Sequence, residues 1–130
     1  MNSALRTGIY NLGVTVTGLS ATNFYYGEAE QNTKHPYCVF SPIGNPVSWC
    51  SNNIYEEDYF QFALYGKSLS ELETLEAAII AKFDFTASLS VSGYTVILCF
   101  RQGTTRKVKL PDSDIWQVVI EYKSRISKGR

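Results

Sequence analysis

The chain has 130 residues, 45% of them hydrophobic and 14% aromatic, with 18% charged and a formal net charge of zero. That length favours one domain, 1–130, and a domain of this size buries roughly 65–70% of its unfolded surface without staples. The composition is too apolar for a disordered chain, and the charge balance lacks the basic excess of a strong nucleic-acid binder.

Residues 2–13 read as a helix, with Leu5, Ile9 and Leu12 at helical spacing, Asn2 or Ser3 as cap and Gly13 as terminator. The Thr/Ser/Gly-rich stretch 14–23 fits a short strand or a loop. Phe24 to Glu30 reads as a strand, and Gln31 to Pro36 is turn chemistry. Tyr37 to Ser41 is apolar on both faces, which suits a central strand. Pro42, Gly44, Asn45 and Pro46 break that pattern, leaving a loop over 44–53 that holds Trp49 and Cys50.

Tyr55 to Tyr65 is the clearest strand. Phe60, Phe62 and Leu64 point one way, and Tyr59, Gln61, Ala63 and Tyr65 the other. A helix follows over about 69–83, with Ser68/Glu71 or Ser70/Glu73 as a capping box. Its stripe of Leu72, Leu75, Ile79 and Phe83 needs a sheet face to cover, and Phe60/Phe62/Leu64 is the candidate. Residues 84–93 read as a loop or short strand, Tyr94 to Arg101 as a strand, and Gly103 to Asp114 as a polar connection. Ile115 to Lys123 closes the sheet with Trp116, Val118, Ile120 and Tyr122 inward. The tail at about 124–130 reads as frayed. The whole is α+β: a mainly antiparallel sheet of four to five strands packed by two helices.

Few residues carry chemistry. The one histidine, His35, precedes Pro36 in a turn, and its pairing with Cys38 lacks an orienting acid. Cys38, Cys50, Cys99 and His35 contain no CxxC pair for zinc, and an odd cysteine count argues against a disulfide framework and for a reducing cytoplasm. Glu56, Glu57 and Asp58 form one acidic cluster, read as a solvated strand entrance because alternation sets Glu57 opposite the other two. No phosphate-binding glycine loop is present, so no cofactor is implied. There is no signal-peptide pattern, and no apolar run approaches the ~18 residues of a membrane span.

Charge is unevenly placed. Residues 1–100 hold 4 basic and 9 acidic groups, and residues 101–130 hold 8 basic and 3 acidic. The split predicts a dipolar subunit with head-to-tail association, unless folding intermixes the charges. Arg101, Arg106, Lys107 and Lys109 flank the Gly103–Thr105 turn as the one basic patch. It reads as a solvated loop or a neighbour contact ahead of a nucleic-acid contact. With Tyr59, Gln61 and Tyr65 it is the candidate subunit or partner interface.

The order of features resembles the tail-completion, or tail-terminator, proteins of long-tailed phages and prophages. The likeness is carried by Leu5 and Ile9, by His35-Pro36-Tyr37-Cys38-Val39-Phe40, by Trp49 and by Tyr59-Phe60-Gln61-Phe62-Ala63-Leu64-Tyr65. It continues through Lys67-Ser68, Leu72, Leu75 and Ile79 to Ile115-Trp116-Gln117-Val118-Val119-Ile120-Glu121-Tyr122. Residues 13–34 and 86–93 have no counterpart. The resemblance implies a ring, usually hexameric, that caps the tail tube below and offers the head-tail connector a docking surface above. Genomic DNA would pass through the lumen without sequence-specific binding. It implies a virion component, assembled in the host cytoplasm, with no catalytic residues. Two other readings compete: a small monomeric ligand- or peptide-binding α+β domain with a cleft near Trp49, Tyr59 or Tyr65, and a small enzyme built on Glu56/Asp58 or His35/Cys38.

Overall fold

The computed structural model describes residues 3–30, 34–43, 47–48, 55–84, 89–103 and 105–128. Helix α1, Ser3–Gly13, buries Leu5, Ile9 and Leu12, the stripe its spacing predicts. It lies close to strand β1, Phe24–Tyr26, because Gly13 has no side chain: a Cβ there would stand 2.3 Å from the Phe24 ring. The 14–23 stretch is built of turns, including Thr15 N–H to Leu12 O at 3.1 Å and Leu19 N–H to Val16 O at 2.9 Å. Strand β1 ends early, where Gly27 takes a φ of 83° that side-chain-bearing residues rarely adopt.

Strands β2 (Tyr37–Pro42), β3 (Val47–Ser48) and β4 (Tyr55–Gly66) precede helix α2 (Leu69–Phe83). The Ser68 hydroxyl caps α2 by accepting from Glu71 N–H at 3.3 Å. At the other end Asp84 N–H returns to Ile80 O, and the Asp84 carboxylate accepts from the Tyr122 hydroxyl at 2.7 Å and Arg101 Nε at 3.0 Å. That second grip fixes the end of α2 to strands β5 (Tyr94–Arg101) and β7 (Trp116–Lys128); β6 (Arg106–Lys109) lies between them in sequence.

Among the described residues the sheet has seven strands in the order β1-β2-β4-β7-β5, with β3 beside β4 and β6 beside β7. Every pairing is antiparallel except β1 with β2. The spine is the β4–β7 ladder, from Tyr55↔Ser127 to Gly66↔Trp116. Both helices cover one face. There Phe62 meets Phe83 at 4.8 Å between centroids, Phe24 stacks on Phe40 at 5.0 Å, and Phe60 stacks on Tyr122 at 5.7 Å. Each such ring removed from water stabilises the fold by about 2–3 kcal/mol.

The α+β class and the docking of α2 on Phe60/Phe62/Leu64 follow the sequence. The strand count does not: β3 lies inside the expected 44–53 loop and β6 inside the expected polar connection. Trp49 and Cys50 lie outside the described residues. The tail expected to fray from about 124 is instead the end of β7. Ser124 and Ile126 are fully buried there, and the backbone pairs with Tyr55–Asp58 on one side and Tyr94–Val96 on the other.

Candidate assembly surface

Side chains alternate across a sheet, so every second residue of β2, β4 and β7 points away from the helices. Register pairs align them in rows: Tyr37–Tyr65–Gln117, Val39–Ala63–Val119, Ser41–Gln61–Glu121 and Tyr59–Lys123. Among the described residues neither helix packs on this face. The expected interface residues Tyr59, Gln61 and Tyr65 all stand on it. Tyr37 stacks on Tyr65 at 5.1 Å between centroids, Gln117 Nε2 donates to the Tyr65 hydroxyl at 2.9 Å, and Lys123 Nζ sits 5.7 Å from the Tyr59 centroid. Strand alternation in the sequence already sets Gln117, Glu121 and Lys123 outward, as found; Tyr37 and Arg125 were not read as members of this face. The signal was strand parity carried from β4 to its partners.

Next to the Tyr59 row, Glu57 is 2% exposed. It accepts from Arg125 Nε at 3.0 Å and from Arg125 Nη2, with Lys123 Nζ 3.5 Å away. Two cations on one carboxylate satisfy a charge that burial would otherwise make costly. Folding also brings cations of residues 101–130 onto acids from the earlier part of the chain, the intermixing that competes with a dipole. Arg101 pairs with Asp84, Arg106 with Glu121 at 3.2 Å, and Lys107 with Glu73 at 3.0 Å and Glu76 at 3.5 Å. The basic patch is also divided. Register places Arg106 on the open face, level with Val119, whereas Arg101, Lys107 and Lys109 are level with Tyr122, Val118 and Trp116 on the helix side.

The sheet edges resist strand addition. On one side β1 offers three residues. On the other, β5 breaks register between Val96 and Leu98, pushing Ile97 outward to 45% exposure, and β6 follows with Arg106, Lys107 and Lys109. Bulges, short strands and edge cations all blunt edge-to-edge pairing.

The groups considered for chemistry fall apart differently. Cys38 faces the core with no exposure, and burial pushes its thiol well above the ordinary range; His35 stands in the preceding turn with its ring 5.3 Å from Tyr37. Cys99 is buried too, its thiol pushed up to about 12 by burial and by Asp84. A thiol held protonated in this way is a poor nucleophile. Glu56 and Asp58 do meet, by a hydrogen bond between their carboxyls, but on the helix side of the sheet. Asp58 is 3% exposed, in register with the fully buried Ser124. Burial first, then Glu56, raises Asp58 to about 7. The solvated strand entrance expected at 56–58 is therefore a buried Asp58 beside a half-buried Glu56 on one face and a buried Glu57 held by two partly exposed cations on the other. Among the described residues no three Cys, His, Asp or Glu gather as a metal site, and no helix is long and apolar enough to cross a membrane.

Among the grooves lined by described residues, two bear on the faces above. One, about 670 Å³, runs along the outer side of α1 past Thr7, Asn11 and Thr15 to Ser90 and Ser92. The other, about 300 Å³, lies on the open sheet face between the Gly27–Ala29 segment and Tyr65. Neither is lined by His35, Cys38, Glu56 or Asp58.

No protein-family profile matches the chain, and no curated protein is similar to it. Solved structures are. A chain of the virion of a native gene transfer agent particle superposes with a TM-score of 0.76, at 12% identity, over 96% of both chains. Another solved structure matches with a TM-score of 0.54, at 14% identity, over 98% of this chain and 93% of that one. At such identities the likeness establishes a shared fold.

Proposed function

We propose that this chain is a structural subunit of a phage-like virion. In this reading it assembles into a ring, hexameric by the family resemblance, that caps the tail tube and joins it to the head connector. The observation that carries the proposal is the end-to-end likeness to a chain of the gene transfer agent virion, with 96% of each chain covered. Three features support it. Among the described residues one broad sheet face has no second layer, that face is rich in tyrosine and glutamine, and the sheet edges are blunted. A ring built from one kind of subunit needs two unlike, complementary surfaces, and an open sheet face backed by a helical face supplies them. Tyr59, Gln61, Tyr65 and Arg106 belong to the proposed sheet-side contact, and the helix-side cations Arg101, Lys107 and Lys109 to its counterpart. DNA passes through the lumen without base contacts, which fits a net charge of zero.

The test is deletion of the gene from a particle-producing host. Loss of the cap predicts tails of irregular length and heads without tails in electron micrographs. Particles of normal length and normal head attachment would refute the role.

A further inference from the structure

We infer that the smaller groove is a receptor for one cationic side chain, arginine or lysine, of a neighbouring protein subunit, held by Tyr37, Tyr65 and Glu28. The inference deepens the assembly reading by naming what the open face accepts. It rests on that reading for the source of the cation.

The groove is built by local chain geometry. Gly27, at φ 83°, turns the chain off β1 while its N–H still bonds to Phe40 O at 2.9 Å. The residues that follow stand as a wall beside β2, and Val39 and Ala63 form the floor. Its volume, about 300 Å³, is at the low end for ligand pockets and suits a single long side chain with water.

The lining selects the charge of the guest. Glu28 is its one charged residue, and among the described residues no cation pairs with it. The Tyr37–Tyr65 stack adds two π systems whose faces attract cations. Burial and the nearby Tyr65 raise the Tyr37 phenol, so it stays neutral. Gln61 brings a carbonyl able to accept N–H bonds. An anion would be repelled by Glu28, and an aliphatic chain would gain nothing from Glu28 or Gln61.

The rest of the sheet shows the same chemistry already fulfilled. Tyr26 carries the Arg6 guanidinium 5.1 Å from its centroid, and Tyr59 carries Lys123 at 5.7 Å. The Tyr37–Tyr65 pair has no such cation among the described residues. Its contacts within the chain are the His35 ring on Tyr37 and the Gln117 amide on the Tyr65 hydroxyl, which leave the site with a carboxylate beside it and no cation.

The probe is N-acetyl-arginine amide, titrated into the full chain below its assembly concentration, with aromatic carbon-proton NMR as readout. Its neutral isostere N-acetyl-citrulline amide is the control. Tyr37 and Tyr65 signals should shift saturably with arginine, with citrulline weaker by about fivefold, the ratio expected of a cation–π contact plus an exposed ion pair. Glu28→Gln should weaken arginine binding by a similar factor and leave the melting curve unchanged. Equal binding of both probes, no shift at either tyrosine, or indifference to Glu28→Gln overturns the inference. A protein that forms rings but ignores arginine sinks the groove and spares the assembly reading. One that binds arginine at these tyrosines yet never enters particles does the reverse.

Discussion

Asp58→Asn should change how stability depends on pH. In the folded chain Asp58 is 3% exposed, bonds to the Glu56 carboxyl, and lies in register with buried Ser124; its pKa is raised from 3.8 to about 7. Among the described residues one oxygen each of Glu56, Asp58 and Ser124 is buried without a hydrogen-bond partner, so a second negative charge beside Glu56 is disfavoured. The folded state thus keeps a proton that the unfolded chain has released. A carboxyl raised in the fold costs nothing below about pH 4, where both states hold the proton. Its stabilising proton is lost as pH climbs through about 7. The gap of roughly three pH units corresponds to about 4 kcal/mol at most, a large share of the 5–15 kcal/mol that holds a domain together. Asparagine keeps the shape without the charge. Thermal melts followed by circular dichroism between about pH 4 and pH 8.5 should start together and diverge, with the variant more stable at high pH by on the order of 10 °C. Parallel curves offset by a constant would refute the shared-proton reasoning.

Three further outcomes follow from packing and pairing. Gly13→Ala places a Cβ 2.3 Å from a Phe24 ring wedged between Tyr10 and Phe40, and urea unfolding should show a loss of about 1–3 kcal/mol. Glu57→Gln removes the negative charge that Arg125 and Lys123 share; a loss of about 1–3 kcal/mol is expected, shrinking in an Arg125→Met background, which a double-mutant cycle measures. Ser68→Ala removes the α2 cap and should cost about 1 kcal/mol by the same unfolding assay.

The sequence was most legible where periodicity and burial agree. Helix α2 has an apolar stripe and a serine cap, and β4 alternates rings with amphipathic residues, so their faces and docking could be read directly. Strand β6 was hidden because all four of its residues are exposed and three are basic; backbone pairing to β7 makes it a strand, with no apolar pattern to announce it. The end of β7 was hidden for a related reason. Ser-Arg-Ile-Ser reads as a solvated tail, yet Ser124 and Ile126 lie on the helix side and Arg125 reaches across to Glu57. In β5 the extra residue at Ile97 flips parity, so Val96 and Cys99, an odd number of residues apart, share a face. The charge split left open whether folding would intermix the charges; ion pairs between distant parts of the chain, Glu57 with Arg125 and Glu73 with Lys107, show that it does so in part. Of the expected interface, the β4 residues fell together by parity, while the basic turn came apart because a strand distributes neighbours to opposite faces.

The central claim, that this subunit belongs to a ring at the junction of head and tail, meets its most direct test in a cryo-EM reconstruction of purified particles from a producing host. The account predicts copies of this fold arranged around the tail axis at its head-proximal end, each with its open sheet face against a neighbour. Particles that lack the chain, or that carry it with the sheet face bare to solvent, would contradict it.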